Sequence, residues 1–249
     1  MPDPQSQMVM WVNSIAQTAT ANGGTVVMKY SQSLPPTSTL IGMFGATKGG
    51  ICQALTNKWI AEHAAGGSLW NWLCSSSGQV QPSKISNLMM NFIDSASMSA
   101  PGGIDRQKLI SEKYLFQYGV IRRTDIVSGE RLYLEGMGNL APNPAYGATV
   151  AKAVVGQGLK NSGGCYRMIS FKGTGGGHVV AAWVAEDVAF FDSNFGEFWF
   201  EKPANFAKWF PMFWQKAGYG QMFGGCQIRD FAMKKGHVTA RPGNQMGRV

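Results

Sequence analysis

From Ile51 onward, apolar residues return every four positions. Ile51, Leu55 and Trp59 form one stripe, Ala54 shares its side, and Gln53 and Lys58 fall off it. That period predicts an amphipathic helix, ended by the pair Gly66-Gly67. SKISNLMMNFIDSA, residues 83–96, predicts a second helix, and Asp105 is placed to cap a third, RQKLISEKYLFQYG, which stops at Gly119. Upstream, QMVMWVNSIAQTA reads as a short helix, GGTVVMKY as a short strand, and SQSLPPTST as a loop with two prolines. Downstream, NLAPNPAYG reads as a linker or loop, and ATVAKAVVGQGLKNSGG as a helix that runs to its glycine pair.

Near Cys165 the pattern changes. CYRMISFKG, HVVAAWVAE, VAFFDSNFGEFWFE and CQIRDFAMKK are short and rich in β-branched and aromatic residues, with glycines or acidic turns between them. EKPANFAKWFPMFWQKAGYG interrupts these strands. A mainly helical front and a mainly antiparallel back give an α+β layout. The expected division is an N-terminal segment of undefined structure (1–45), a main domain (46–235) and a basic tail (236–249).

Hydrophobic residues at 45% and aromatics at 12% of 249 positions are enough to fill a core. A net charge of +8 favours anionic partners, but apart from Arg122-Arg123 and Lys234-Lys235 the basic residues are scattered. No basic stripe or nucleic-acid motif is present, so nucleic acid is not an expected partner. Cys52, Cys74, Cys165 and Cys226 form no CxxC pair, which argues against structural zinc and a disulfide scaffold. No metal or cofactor is expected. No apolar run approaches the roughly 18–20 residues of a membrane span. The first residues lack a basic region and carry Asp3 and two prolines, so a Sec signal peptide is not expected.

Cys52 lies one residue after the pair Gly49-Gly50, at the head of the helix predicted from Ile51, a position that lowers a thiol's pKa. A lone cysteine in an apolar helix is more often packing, and chemistry there needs a base with an orienting acceptor. Of the three histidines, His63 lies eleven residues further along the same helix, and His237 lies in the basic tail. His178 opens a strand after GTGGG. If HVVAAWV and VAFFDSNFGEF form a hairpin around a loop of Ala185–Asp187, paired residue numbers sum to 372. Asp192 then stands opposite Val180, Asn194 opposite His178, and all three polar residues share a face. The diagonal gap of roughly 7–8 Å is one that an imidazole and a carboxylate can bridge. A two-residue loop would put Asp192 on the other face. A histidine at a strand start is commonly structural, whereas a carboxylate in an aromatic strand is costly without a partner. Neither GATKGG nor GTGGGH fits a nucleotide-binding loop. Those glycines are expected to let a backbone pass close to a site. FAKWFPMFWQKAGYGQMF could wall a substrate or lipid site, but core packing is the favoured reading.

GGICQALTNKW, GHVVAAW and FFDSNFGEFWF together resemble the YopT-type, AvrPphB-like cysteine proteases, a family of bacterial effectors with a papain-like fold. The resemblance implies a helical N-terminal part packed on a C-terminal antiparallel sheet. It also implies a triad of Cys52, His178 and Asp192, with the D-x-N-x-G-x-F run at Asp192, Asn194, Gly196 and Phe198. The separations, 126 and 14 residues, look like the family's. By the same resemblance, Cys52 forms an acyl-thioester, its own amide donates to the oxyanion, and Asn194 helps to orient the site. Enzymes of this fold usually add a side-chain amide donor just before the cysteine, but residues 45–51 contain no Asn or Gln. Thr47, a backbone amide or a residue distant in sequence is expected to serve. The implied substrate is a protein or peptide in a host or rival cell, reached without a Sec signal, with a chaperone or immunity protein as a further partner. A charge of +8 argues against the basic-tailed substrates of some relatives. The alternatives are a cell-wall amidase or peptidase toxin, a deamidase or acyltransferase on the same fold, and a non-catalytic binding module.

Overall fold

Helix α1 (Pro4–Ala21) starts where the Asp3 carboxylate accepts from the amides of Gln5 and Ser6, with Pro4 in the first turn. It buries Val12, Ile15, Ala16 and Ala19, a three- and four-residue spacing that lines one face. Helix α1 extends the predicted short helix at both ends. Strand β1 (Gly24–Lys29) follows directly, as its β-branched pattern predicts. The computed structural model describes residues 3–97, 106–123, 145–156 and 164–233. The chain divides into two units: Met1–Ser31 with Arg122–Ala232, and Gln32–Ile121 with Met233–Val249. The expected segment 1–45 is thus shared between them, with α1 and β1 in the first. Asp105, most of NLAPNPAYG and the tail with His237 lie outside the described residues.

The second unit is helical. Its described elements are α2 (Thr37–Gly42), a single 3-10 turn at Gly45–Thr47, α3 (Cys52–Ala64), α4 (Leu69–Leu73), α5 (Pro82–Ser97) and α6 (Arg106–Gln117). The helix predicted from Ile51 is α3, and Gly66, with φ +75°, ends it. Its polar side differs from the expectation: Gln53 and Lys58 lie off the apolar stripe and are nevertheless buried. Helices α4, α5 and α6 all pack on α3, so its polar positions must find partners inside. Gln53 Nε2 donates to Asn57 Oδ1 and Ser111 Oγ, while Lys58 pairs with Glu62 at 2.6 Å.

His63 is buried on α3 and stacks on Trp59 with ring centroids 5.2 Å apart. Burial pushes its imidazole from 6.5 down to about 4. The unfolded chain therefore binds a proton that the folded one refuses, and stability falls as pH drops from 6.5 toward 4. The expected loss by pH 4 is about 3 kcal/mol. Urea melts of wild type and His63→Phe check this. The gap between pH 7 and pH 4 should shrink by that amount in the variant, and an equal gap would exclude the assignment.

The first unit is built on an antiparallel sheet. The chain returns to it through β2 (Val120–Arg122), α7 (Tyr146–Val155), β3 (Cys165–Gly173), β4 (Gly176–Val184), β5 (Val188–Asp192), β6 (Gly196–Phe200), α8 (Pro203–Lys216), α9 (Tyr219–Met222) and β7 (Gly225–Met233). The strand order is β1-β6-β5-β4-β3-β7-β2. CYRMISFKG matches β3 residue for residue.

Two expectations need correction. The helix in ATVAKAVVGQG stops at Gly156, short of the glycine pair, and a Cβ there would lie 2.5 Å from the Lys152 carbonyl. VAFFDSNFGEFWFE is two strands rather than one. The Phe195 amide donates to the Asp192 carbonyl, and Gly196 turns the chain at φ +106°. A Cβ on Gly196 would sit 2.0 Å from the Met28 carbonyl, so β1 and the turn fit together only around a glycine. The segment expected to interrupt the strands does so as α8, with Pro203 at its first turn. Phe206, Trp209, Phe210, Phe213 and Trp214 on α8 are buried with Phe190, Phe198 and Phe200 of the sheet. Burying each such ring contributes about 1.5–3 kcal/mol. FAKWFPMFWQKAGYGQMF is therefore mainly core, as favoured.

Candidate active site

In the helical unit, Cys52 is the first residue of α3 and is half-buried. No side chain caps that end, and the first intrahelical bond runs from the Leu55 amide to the Ile51 carbonyl. The amides of the opening turn thus present a positive helix end beside the thiol. Burial pushes the other three thiols up, that of Cys226 to about 12. Thiols whose pKa is raised in this way are poor nucleophiles.

Gly50 leads into Cys52 at φ +104°, and a Cβ on it would lie 3.2–3.4 Å from the Gln32 carboxamide. Gln32 is buried, and its Oε1 accepts from the Ile51 amide at 2.9 Å. A side-chain amide is therefore fixed against the two residues that precede Cys52. The expectation for Thr47 does not fit this geometry. Its hydroxyl is fully buried and lies on the Ile41 and Phe44 carbonyls at 3.1 and 3.2 Å, which commits its one proton to the turn. Gln32 was not singled out from the sequence because it lies twenty residues before Cys52, beyond a proline loop.

In the sheet unit, His178 lies on β4 and Asp192 ends β5. The β4–β5 pairs run from Ala181↔Phe191 to Val184↔Val188, around a loop of Ala185–Asp187. That is the register with sum 372, which carried one step further sets Asp192 across from Val180. His178 and Asp192 consequently share a face, and Nε2 of His178 meets Oδ1 of Asp192 at 2.9 Å. The same Oδ1 accepts from the Asn194 amide at 2.7 Å, and Oδ2 accepts from the Tyr219 hydroxyl, also at 2.7 Å. Asp192 is fully buried and His178 nearly so, which is tolerable for a carboxylate with three donors. Asn194 does not stand opposite His178, because β5 ends first. It lies in the turn, where its Nδ2 donates to the Tyr219 hydroxyl at 3.2 Å.

Of the GTGGG glycines, Gly175 and Gly176 face open space, and of these two Gly176 needs its residue type through its backbone, at φ +135°. Close approach occurs instead at Gly173, where a Cβ would lie 2.0 Å from the Met222 carbonyl. Tyr219 was also missed. It lies within the apolar run ascribed to packing, and the distance in sequence gives no sign that it reaches Asp192.

The chain matches the family model Peptidase C58, described as Yersinia/Haemophilus virulence surface antigen, over residues 16–234. It is 27% identical over 222 residues to cysteine protease yopT1 of Yersinia enterocolitica, covering 84% of this chain and 63% of that protein. It is also 27% identical over 217 residues to the protein adenylyltransferase and cysteine protease IbpA of Histophilus somni, covering 84% of this chain and 5% of that protein. The chain therefore spans less than two thirds of these relatives. Among solved structures, the Pseudomonas avirulence protein AvrPphB aligns with a TM-score of 0.49 and 14% identity, over 76% of this chain and 95% of that one. The family match takes in both units and every polar residue just described, and the chain belongs to the Peptidase C58 family.

Proposed function

We propose that the chain is a cysteine endopeptidase that acts as a bacterial effector or toxin on a protein of a target cell. The observation that carries this reading is the buried His178–Asp192 pair, in a family whose relatives bear the name cysteine protease. With Nε2 committed to Asp192, proton transfer falls to Nδ1. Cys52 attacks a peptide carbonyl as the thiolate after His178 takes its proton, and His178 later protonates the leaving amine. Water then hydrolyses the acyl-thioester, with His178 again acting as the base. The pairing of Cys52 with His178 rests on the order and spacing of the family's motifs.

The developing oxyanion is met by the Cys52 amide and by the carboxamide of Gln32, which takes the role expected of Thr47. Gln32→Glu keeps an acceptor for the Ile51 amide but removes the donor. The expected result is a kcat about 10²–10³-fold lower with KM changed little, measured on a cleaved peptide. A kcat within about twofold of wild type would exclude Gln32 from this role.

The reading as a whole is tested by treating target-cell extracts with wild type or Cys52→Ala and comparing new protein N-termini by mass spectrometry. N-termini that appear with wild type alone support it. Identical sets from the two proteins overturn it.

A further inference from the structure

We propose that Tyr219 is a positioning residue that holds both Asp192 and His178 in their working geometry. This rests on the triad reading above. The Tyr219 hydroxyl donates to Oδ2 of Asp192 at 2.7 Å, the oxygen that faces neither His178 nor the Asn194 amide. A carboxylate gripped at both oxygens cannot rotate, so the Oδ1 that orients the imidazole stays in place. The Tyr219 ring also packs on the imidazole itself, with centroids 5.4 Å apart. One side chain thus restrains the base directly and through its acceptor.

Tyr219 is itself well fixed. It is buried, follows Gly218 at φ +74°, and meets Phe213, Trp214 and Phe223 edge-on at 5.6, 5.8 and 5.2 Å. Phe223, one helical turn later, lies parallel to the imidazole at 6.5 Å. Its amide donates to the Tyr219 carbonyl at 2.9 Å, so the two rings reach His178 as one unit. Asn194 Nδ2 donates to the Tyr219 hydroxyl, which turns that hydroxyl's own proton toward Asp192. A tyrosine serving only to fill the core would need no such aim. A positioning role and a structural one can therefore be separated by removing the oxygen alone.

The test uses Tyr219→Phe, which keeps the ring, and a variant with p-aminophenylalanine at 219, which puts an N–H donor back. Two readouts are taken on the full chain: kcat and KM on a cleaved peptide, and the ¹⁵N-labelled imidazole signals of His178. Tyr219→Phe should lower kcat about tenfold or more with KM within about twofold, and should speed exchange of the Nε2 proton. The p-amino variant should restore both. Unchanged kcat and imidazole signals in Tyr219→Phe would overturn the proposal, as would failure of the p-amino variant to restore them. Loss of the cooperative melt in Tyr219→Phe would also count against it, because a purely structural role predicts that result. If the wild type cleaves nothing, the peptidase reading fails and the imidazole signals alone decide whether Tyr219 positions His178.

Discussion

Cys52→Ala should lower kcat/KM by at least about 10⁵-fold while the urea melt stays within about 0.5 kcal/mol of wild type. The rate loss is large because no other group supplies the covalent intermediate, and base and oxyanion donors without a nucleophile have little to act on. The stability change is small because Cys52 is half-buried at a helix end, where losing one sulfur opens no cavity. The other three cysteines serve as controls. Burial raises the thiols of Cys74, Cys165 and Cys226, so alanine at any of them should leave cleavage intact. Iodoacetamide should accordingly block activity by modifying Cys52. Cleavage by Cys52→Ala at more than about a hundredth of the wild-type rate would exclude Cys52 as the nucleophile.

Asp192→Ala should lower kcat by about 10³–10⁴-fold and also cost about 3 kcal/mol of stability. Both effects come from the same three donors. Without the carboxylate, His178 Nε2, the Asn194 amide and the Tyr219 hydroxyl face a hole in a fully buried place. The imidazole then loses its fixed direction. Asp192→Asn should be milder on both counts. Its carbonyl can still accept from His178 and Asn194, while the Tyr219 hydroxyl must rotate to accept from the new amide. Kinetics and urea melts on the two variants check the order. Asp192→Ala activity within about tenfold of wild type would rule out an orienting role.

Much of the sheet unit was legible because its signals are local. The β-branched run of Cys165–Gly173 marks β3 by composition, and the side-chain period of two lets a turn length decide which residues share a face. That is why parity, given a three-residue loop, set His178 and Asp192 on one face, and the observed register and contact match that alternative. The helix from Cys52 was legible for a similar reason, since its apolar period and terminal glycines both lie within fifteen residues. Helix α8 carries an equally clear period at Phe206, Trp209, Phe210, Phe213 and Trp214, but it is so rich in aromatics that from the sequence it reads only as a break between strands. The split between β5 and β6 depends on the Met28 carbonyl lying against Gly196, a contact made across most of the chain. Gln32 and Tyr219 depend on contacts of that kind as well. Each is an ordinary polar residue until the fold brings it beside Ile51 or Asp192.

The placement of β1 sets an order on assembly. Its Gly24 pairs with Phe200 and its Lys29 with Gly196, so the first strand made must wait for one made about 170 residues later. The helical run from Gln32 to Ile121 emerges in between, and within it α3 meets α4, α5 and α6 while α2 meets α5. Helices α2 to α6 can therefore settle while α1 and β1 remain without their sheet. During synthesis the helix headed by Cys52 is an early structure, and the strands that carry His178 and Asp192 are late ones.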